Sequence, residues 1–579
     1  MFNRDMIIVS ALAICASGSA GYSAGLTEEG AREITRVFQP SKSQLRLFST
    51  LPPKQTALAR SALASMTAPG PATLTFNTWH TFSLNILAFD HTPKVDDQTG
   101  KQLHLQEFGP HRASYVMAKL HLAMYEVANA FEATPGWSWI ETSLPGSVGR
   151  PAAGASEGAA IAAAARTILN DLYVGDDYHI NAEYLASLND LGVAPTDPGV
   201  TFGNKVASLI IGLRANDNST LPEPIWGEDF IPKFQLGTAF QWGVDPVSGI
   251  KVALGGNWGM VTPFLSKTPS SYVDGNASFP PPPMDLTSPL FISALDEVSK
   301  CGVDQAEYNE KRDCDLRGNL KNIDTYYRAK FWSYDGTAGV CAPVRLYNQI
   351  ADRIITEHSD VILGGATQDN DVAFAEAKYY AKLNLAMVDA GIIAWYAKYE
   401  YQYWRPVTGI PYVKGILEGQ NANPQPQDRE SWFPLGAQTT NAGQGYNITP
   451  PFPSYPSGHS VFGSAFFEVL RSIITDSSKE TFTFQSDEYN GPQRLQYNVD
   501  AFDYVRCVDD PNPTPQLPAY CTLRQFDFKT IDPANFDPQN AEQENSDSRV
   551  WMGVHWRFDT DNGIKLGEQL GDDIVAAFR

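Results

Sequence analysis

Apolar residues recur at intervals of three and four along much of the chain, the spacing that places them on one face of an α-helix. Segment 113–131 shows this pattern strongly, and the alanine-rich segment 154–173 adds high intrinsic helix propensity. The predicted helices are 76–90, 113–131, 154–173, 180–191, 203–215, 289–299, 319–333, 344–357, 373–404, 461–475 and a last helix after residue 555. The pattern therefore predicts a mainly α protein.

Stretches rich in proline and polar residues interrupt this pattern. Residues 222–289 include four consecutive prolines at 280–283, and we interpret them as a solvated surface connector, with a functional lid as the alternative. Residues 410–453 and 476–543 are predicted to be irregular, residues 21–70 to wrap the surface, and Pro406 to end the helix 373–404. The predicted organisation is a leader (1–20), an N-terminal helical half with the connector (21–288) and a C-terminal helical half (289–579).

Composition narrows the possible functions. The 579 residues are 43% hydrophobic and 12% aromatic, as in a folded globular protein with a large core. A formal net charge of −22 argues against nucleic-acid binding and against an anionic membrane surface. No later run of about 18 apolar residues exists, so no stable membrane insertion is expected.

The first residues resemble a secretory signal, with Arg4, an apolar stretch at 6–16 and a small-residue cleavage site at 18–20. We therefore expect a secreted or periplasmic protein. In an oxidising compartment, the pairs Cys301 and Cys314, and Cys507 and Cys521, would each close a short disulfide loop and leave Cys341 unpaired. Five buried thiols are the alternative.

The segment from Pro453 to Ser460, which reads Pro-Ser-Tyr-Pro-Ser-Gly-His-Ser, precedes a long apolar run. Ser457 is suited to cap a helix that begins there, and Gly458 lets the backbone approach a ligand. The exposed N–H groups and the positive end of the helix dipole would bind an anion. His459 would then lie beside the anion and exchange a proton near neutral pH.

Two further segments supply cations and a second histidine. Lys398 and Arg405 are seven residues apart, about two helical turns, so we expect both to reach over one helix face. Arg549 and His555 are six residues apart and do not share a helix face, so we infer a chain break near Gly553 that lets them converge. Three cations, two histidines and a helix N-terminus suit a tetrahedral oxyanion such as phosphate or vanadate.

In this order, Lys-x6-Arg-Pro, Pro-Ser-Gly-His and Ser-Arg-x5-His-x3-Asp resemble the signature of the vanadium haloperoxidase and type 2 acid phosphatase superfamily. The interval of nearly ninety residues from His459 to Ser548 resembles that of the haloperoxidases more than that of the compact phosphatases. The resemblance implies two four-helix bundles with long irregular loops, and it implies vanadate as the cofactor.

The resemblance also implies roles for individual residues. Lys398, Arg405 and Arg549 would hold the vanadate oxygens, and Ser457 and Gly458 would add hydrogen bonds. His555 would bind vanadium through one imidazole nitrogen, and His459 would act as the acid–base residue.

Four more side chains belong to this expected site, each with a structural alternative. Asp335 would pair with Arg549, or would only occupy a turn before Gly336. Asp559 would fix the tautomer of His555, or would cap the last helix. Trp395 and Phe452 match residues of chloroperoxidase-like members and would form an apolar halide pocket, although core packing explains them equally well.

The resemblance implies the oxidation of chloride or bromide by hydrogen peroxide to hypohalous acid. It does not specify whether a small organic acceptor is halogenated or whether the protein forms an oligomer. The alternative is a secreted acid phosphatase that uses the same pocket, with His555 as the nucleophile of a phosphohistidine. A protein that binds an oxyanion without turnover is a third hypothesis, disfavoured by two positioned histidines.

Overall fold

The computed structural model describes residues 25–38, 69–94, 102–233, 238–303, 322–417, 432–437, 448–489, 524–532, 537 and 539–578. Within these ranges, helices dominate, as predicted. They are α1 (Glu28–Phe38), α2 (Pro71–Asp90), α3 (Pro110–Phe131), α4 (Trp139–Ser143), α5 (Glu157–Leu172), α6 (Ile180–Leu191), α7 (Pro198–Arg214), α8 (Ser270–Val273), α9 (Pro289–Cys301), α10 (Asn322–Phe331), α11 (Pro343–Glu357), α12 (Ser359–Ile362), α13 (Asp369–Tyr401), α14 (Pro406–Leu417), α15 (Gly458–Ile473), α16 (Ala541–Trp551) and α17 (Arg557–Ala577).

The long helices pack in two groups that share α13. Helices α2, α3, α5 and α7 contact one another in the N-terminal part, and α15, α16 and α17 contact one another in the C-terminal part. The 33-residue helix α13 packs on α3 and α2 on one side and on α15 and α17 on the other. Nearly all of its residues from 376 to 399 are therefore buried. This helix carries Trp395 and Lys398 into the interior.

Close helix packing in the N-terminal group depends on small residues. Helix α5 buries a continuous run of alanines, and α7 lies against it. A Cβ atom placed on Gly203 of α7 would lie only 2.0 Å from the backbone oxygen of Ala160 in α5. The glycine therefore permits the two backbones to approach to a separation that any side chain would prevent.

The end of α13 differs from the prediction. The helix ends at Tyr401, where Gln402 adopts the left-handed conformation (φ 46°, ψ 41°), and Pro406 begins α14 instead of ending α13. A proline is well suited to the first turn of a helix because its missing N–H would have no helical partner there. The predicted loop 410–453 was therefore wrong in its first part, and Lys398 and Arg405 do not share one helix.

In the described parts of segment 222–289, residues 222–233 and 238–289, the chain is not a solvated connector. Its side chains Trp226, Trp242, Trp258 and Phe279 are each at most 4% exposed and belong to the main hydrophobic core. Proline and glycine content indicates irregular backbone but does not indicate exposure, which depends on what the segment packs against. The division at residue 288 stays a prediction.

The predictions that residues 476–543 are irregular and that residues 21–70 wrap the surface were also wrong in part. Strands β1 (Thr481–Phe484) and β2 (Arg524–Asp527) form an antiparallel pair in which Phe482 lies opposite Phe526. In the N-terminal segment predicted to wrap the surface, α1 buries Ile34 and Phe38.

The leader and most cysteines lie outside the described residues. Cys341 is a buried free thiol, as predicted. Since Cys314, Cys507 and Cys521 lie outside the described ranges, the two predicted pairings stay predictions, as do the leader at 1–20 and secretion. Among the described helices, none is long and apolar enough to cross a membrane.

Candidate active site

The Ser-Gly-His turn has the conformation that the sequence predicts. Helix α15 begins at Gly458, and Ser457 is its N-cap, with the side chain accepting a hydrogen bond from the backbone N–H of Ser460 (3.5 Å). The backbone N–H of Ser457 itself donates to the carbonyl oxygen of Asp559 (2.9 Å). This bond ties the start of α15 to the start of α17.

The predicted break near Gly553 is also present. Helix α16 ends at Trp551, and Gly553 adopts a positive φ of 70°. The backbone N–H groups of Val554 and His555 then fold back onto the carbonyl oxygen of Arg549 (3.2 and 3.3 Å). Because the chain reverses here, Arg549 at the end of one helix and His555 before the next converge on the same pocket.

His555 is held in one tautomer by Asp559. Its Nδ1 atom lies 3.0 Å from Asp559 Oδ2, which also accepts hydrogen bonds from Ser454 Oγ (2.5 Å) and from the backbone N–H of Trp556 (3.1 Å). An Nδ1–H donor leaves Nε2 with a lone pair, 3.5 Å from Arg405 Nη1. Asp559 therefore both orients His555 and caps α17, so the two roles predicted as alternatives for this residue are compatible.

Both arginines present a buried donor that has no partner among the described residues. Arg405 donates from Nε to the carbonyl of Phe452 (3.0 Å) and from Nη1 to that of Val554 (2.7 Å), while Nη2 is unpaired. Arg549 pairs with Asp335 through Nη2 (2.6 Å), while its Nε is unpaired. The predicted contact between Asp335 and Arg549 is therefore present.

Lys398 is directed differently from the two arginines. Its ammonium group donates to the backbone carbonyls of Pro453 and Ser454 (3.0 Å each) and to that of Pro456. These bonds occupy its three protons and fasten the segment that leads to the Ser-Gly-His turn. Lys398 is thus brought to the site, where it contributes positive charge and holds the turn in place.

The cations and histidines perturb one another strongly because all are buried. Loss of hydration, followed by the charge of Arg405, lowers the pKa of Lys398 well below its usual range. Loss of hydration also lowers the pKa of Arg405 to about 9 and that of His555 well below 6.5, where the three cations add to the effect. Burial raises the pKa of Asp559 to about 7. The site thus carries more positive charge than its own carboxyl groups balance.

His459 faces the same pocket from the first turn of α15. Its Nε2 atom lies 2.8 Å from the carbonyl oxygen of Ser333, so Nε2 carries the proton and Nδ1 is an acceptor. Burial, assisted by the charge of Arg549, lowers its pKa to about 3. His459 is therefore neutral at neutral pH.

Apolar side chains form most of the remaining wall. Trp395 and Phe452 pack against each other with ring centroids 5.0 Å apart, and a Cβ atom on Gly458 would touch the Trp395 ring at 3.4 Å. The Phe452 ring also contacts two cations, with its centroid 5.1 Å from Lys398 Nζ and 5.0 Å from the Arg405 guanidinium carbon. Other lining residues include Phe38, Phe108, Pro343, Ile448, Pro450 and Pro451.

Several residues that build the site were not found from the sequence. Ser454 supports Asp559, and Tyr347 and Asn545 both donate to the backbone carbonyl of His459 (2.9 and 3.0 Å). Met552 places its sulfur 3.0 Å from Arg549 Nη1. Ser454 lies inside the proline-rich segment 453–460, whose sequence signals a turn, whereas Tyr347 and Asn545 occupy ordinary helical positions with no local signal.

The residues present fit a bound tetrahedral oxyanion. Two unpaired guanidinium donors, the N-terminus of α15 and an excess of buried positive charge all require an acceptor. The lone pair on His555 Nε2 is a suitable ligand for a metal centre carried within that oxyanion. The donor set therefore fits vanadate as well as phosphate.

Comparisons with known proteins agree with this chemistry. Residues 378–579 match a family model described as the VCPO second helical-bundle domain. A vanadium chloroperoxidase of Curvularia inaequalis is 31% identical over 239 residues, which cover 40% of this chain and 35% of that protein. The alignment thus spans only about a third of that relative's length.

Two crystal structures share the fold. A bacterial vanadium-dependent iodoperoxidase has a TM-score of 0.57 at 19% identity, covering 87% of this chain and 96% of that one. An apo-type bacterial vanadium-dependent chloroperoxidase has a TM-score of 0.52 at 15% identity, covering 82% and 94%. Residues 378–579, which carry both histidines and all three cations, are thus similar in sequence to the VCPO second helical-bundle domain, and the chain shares the helical fold of two vanadium-dependent haloperoxidases.

Proposed function

We propose that this protein is a vanadate-dependent haloperoxidase that oxidises chloride or bromide with hydrogen peroxide to hypohalous acid. The observation that carries the proposal is the arrangement around His555: an Nε2 acceptor that lies 3.5 Å from Arg405 Nη1, with two guanidinium donors in the same buried pocket that have no partner among the described residues. A metal oxyanion can use both an imidazole lone pair and several hydrogen-bond donors.

Each polar group has a part in holding the oxyanion. His555 Nε2 would coordinate the metal, Arg405 Nη2 and Arg549 Nε would donate to its oxygens, and the N-terminus of α15 at Gly458 would add backbone N–H groups. Lys398 would stabilise the negative charge electrostatically while it holds the turn. Bound vanadate supplies a Lewis acid that activates peroxide without a change in its own oxidation state.

His459 is suited to manage the proton of hydrogen peroxide. It is neutral at rest because of its lowered pKa of about 3, and its Nδ1 atom is an acceptor. It can therefore take a proton from an entering peroxide molecule and return it to the departing oxygen. Negative charge that enters the pocket with the oxyanion would favour the protonated imidazole and would assist the second step.

The apolar wall suits the halide. Trp395 and Phe452 present ring surfaces to the pocket and would exclude water from it, so a halide that enters would lose hydration and would be stabilised instead by the cations that lie against Phe452. An acid phosphatase would use His555 and His459 equally well but has no need of this wall. It is the hypothesis that the experiment must separate from ours.

The test begins with protein freed of oxyanion. Oxidation of iodide, bromide and chloride by hydrogen peroxide is assayed with and without orthovanadate, with p-nitrophenyl phosphate hydrolysis measured in parallel. We expect halide oxidation that appears with orthovanadate and is suppressed by phosphate. Phosphomonoester turnover without any vanadate-dependent halide oxidation would instead establish the phosphatase.

Variants assign the two histidines. His555→Ala should lose orthovanadate binding and halide oxidation together, whereas His459→Ala should retain binding and oxidise halide slowly. The control is His179→Asn, which replaces an exposed histidine that already has a positive φ of 54°. Full halide oxidation by either active-site variant would refute the role given to that residue.

A further inference from the structure

The N-terminal helix α1 is fastened to a loop of the segment 222–289. The Glu33 carboxylate accepts hydrogen bonds from the backbone N–H groups of Lys251 (2.7 Å) and Val252 (3.2 Å). Arg36 Nη2 donates to the carbonyl oxygen of Ser248 (2.8 Å). Two charged side chains, one helical turn apart, therefore fix both the position and the rotation of α1.

That orientation directs the last residue of α1 into the oxyanion pocket. Phe38 is only 2% exposed, lines the pocket, and packs edge-to-face on Phe108 with ring centroids 5.6 Å apart. A Cβ atom on Gly336 would lie 3.9 Å from Phe38 Cε1. Gly336 follows Asp335, the partner of Arg549, so the Phe38 ring forms the wall beside this ion pair.

The same loop supports the opposite wall. Leu254, two residues after the loop held by Glu33, lines the pocket and donates from its N–H to the carbonyl of Pro451 (3.0 Å). Its own carbonyl accepts from Trp395 Nε1 and from the Tyr399 hydroxyl (2.9 Å each). Docking of α1 is thus coupled to both sides of the pocket through short, specific contacts.

We propose that α1 is a specificity element of the site, in which Phe38 limits the width of the pocket and excludes oxyanions and hydroperoxides that carry a bulky organic group. The inference rests on the proposed oxyanion function. Glu33 and Arg36 act as positioning residues, because they touch the loop and the helix but not the ligand. Inorganic oxyanions and hydrogen peroxide are small enough to pass Phe38, whereas an attached phenyl or tert-butyl group meets its ring.

The experiment compares two probes on the oxyanion-free protein by calorimetry: inorganic phosphate and phenylphosphonate. We expect the parent protein to bind phosphate more tightly, and Phe38→Ala to shift the affinity ratio toward phenylphosphonate by at least about tenfold, the size of effect that one misfitting group has in a pocket. With vanadate bound, the ratio of kcat/KM for tert-butyl hydroperoxide to that for hydrogen peroxide should rise in parallel. Phe38→Leu, a milder change, should shift both ratios in the same direction and tests the idea if the alanine variant does not fold.

Matched variants on α1 separate positioning from general destabilisation. Arg36→Gln should shift the affinity ratio in the same direction, and Arg36→Lys, which retains a donor, should restore part of the parent value. Arg32→Gln, at a position whose side chain is 74% exposed, should leave the ratio unchanged. If the parent, Phe38→Ala and Phe38→Leu all bind phosphate and show the same ratio of phosphate to phenylphosphonate affinity, this inference alone is overturned. If the parent protein binds no phosphate, the proposed function is overturned as well.

Discussion

Asp559 offers the sharpest test of how the site prepares His555. Its Oδ2 atom accepts three hydrogen bonds, one from His555 Nδ1 at 3.0 Å, and its Oδ1 atom has no partner among the described residues. Asp559→Asn keeps the shape but replaces a charged acceptor by a neutral amide. Hydrogen bonds to charged groups contribute about 1.5–3 kcal/mol and neutral ones about 1 kcal/mol, so the orienting bond should weaken by about 0.5–2 kcal/mol.

That loss should appear as orthovanadate binding about 2–30 times weaker, because about 1.4 kcal/mol corresponds to a factor of ten. Binding to the oxyanion-free protein is measured by calorimetry between pH 6 and 9. The difference between parent and variant should be largest at pH 9 and should shrink toward pH 6, because the parent Asp559, with its pKa of about 7, becomes neutral there.

The control is Asp561→Asn, two residues further along, whose side chain is 44% exposed. This variant should bind orthovanadate as the parent does. Asp559→Asn with parental affinity at pH 9 would refute the reasoning, since His555 would then hold its tautomer without a charged partner.

Two further predictions concern stability. Asp335→Asn should lower the free energy of unfolding by about 3–5 kcal/mol because it leaves the buried Arg549 guanidinium without its counter-charge. Orthovanadate should then raise the melting temperature of this variant more than that of the parent. Equal increases in melting temperature would contradict the prediction. Glu157 has both carboxylate oxygens buried without a partner among the described residues, and burial raises its pKa to about 9. The folded state therefore keeps a proton that the unfolded state releases, so this contribution to stability is present below about pH 4.5 and is lost, by up to about 1.4 kcal/mol per pH unit, as the pH rises toward 9. Glu157→Gln should remove this part of the slope in urea unfolding, and an unchanged slope would show that the carboxyl group is ionised in the folded protein.

The parts of this protein that could be predicted are those with local causes. Helix periodicity located most of the helices, because the apolar face of a helix repeats within a few residues. Ser457 was identified as a cap and Gly553 as a break for the same reason: the side chain of one residue, or its absence, determines the conformation of its neighbours. The charges of the site were found because their spacing resembles that of a known superfamily.

Other features depend on contacts between residues distant in sequence. Only the tertiary structure decides that the protons of Lys398 go to three backbone carbonyls, and that Arg405 reaches the site from the residue before α14, after the left-handed turn at Gln402. Burial of the proline-rich segment 222–289 has the same origin, since an irregular chain is exposed or buried according to its neighbours. The placement of Phe38 in the pocket likewise follows from two side-chain contacts that span more than two hundred residues. Local sequence therefore determined which helices and caps form, while packing across the whole chain decided which donors remain free to bind a ligand, because a hydrogen-bonding group is free only when no distant segment reaches it.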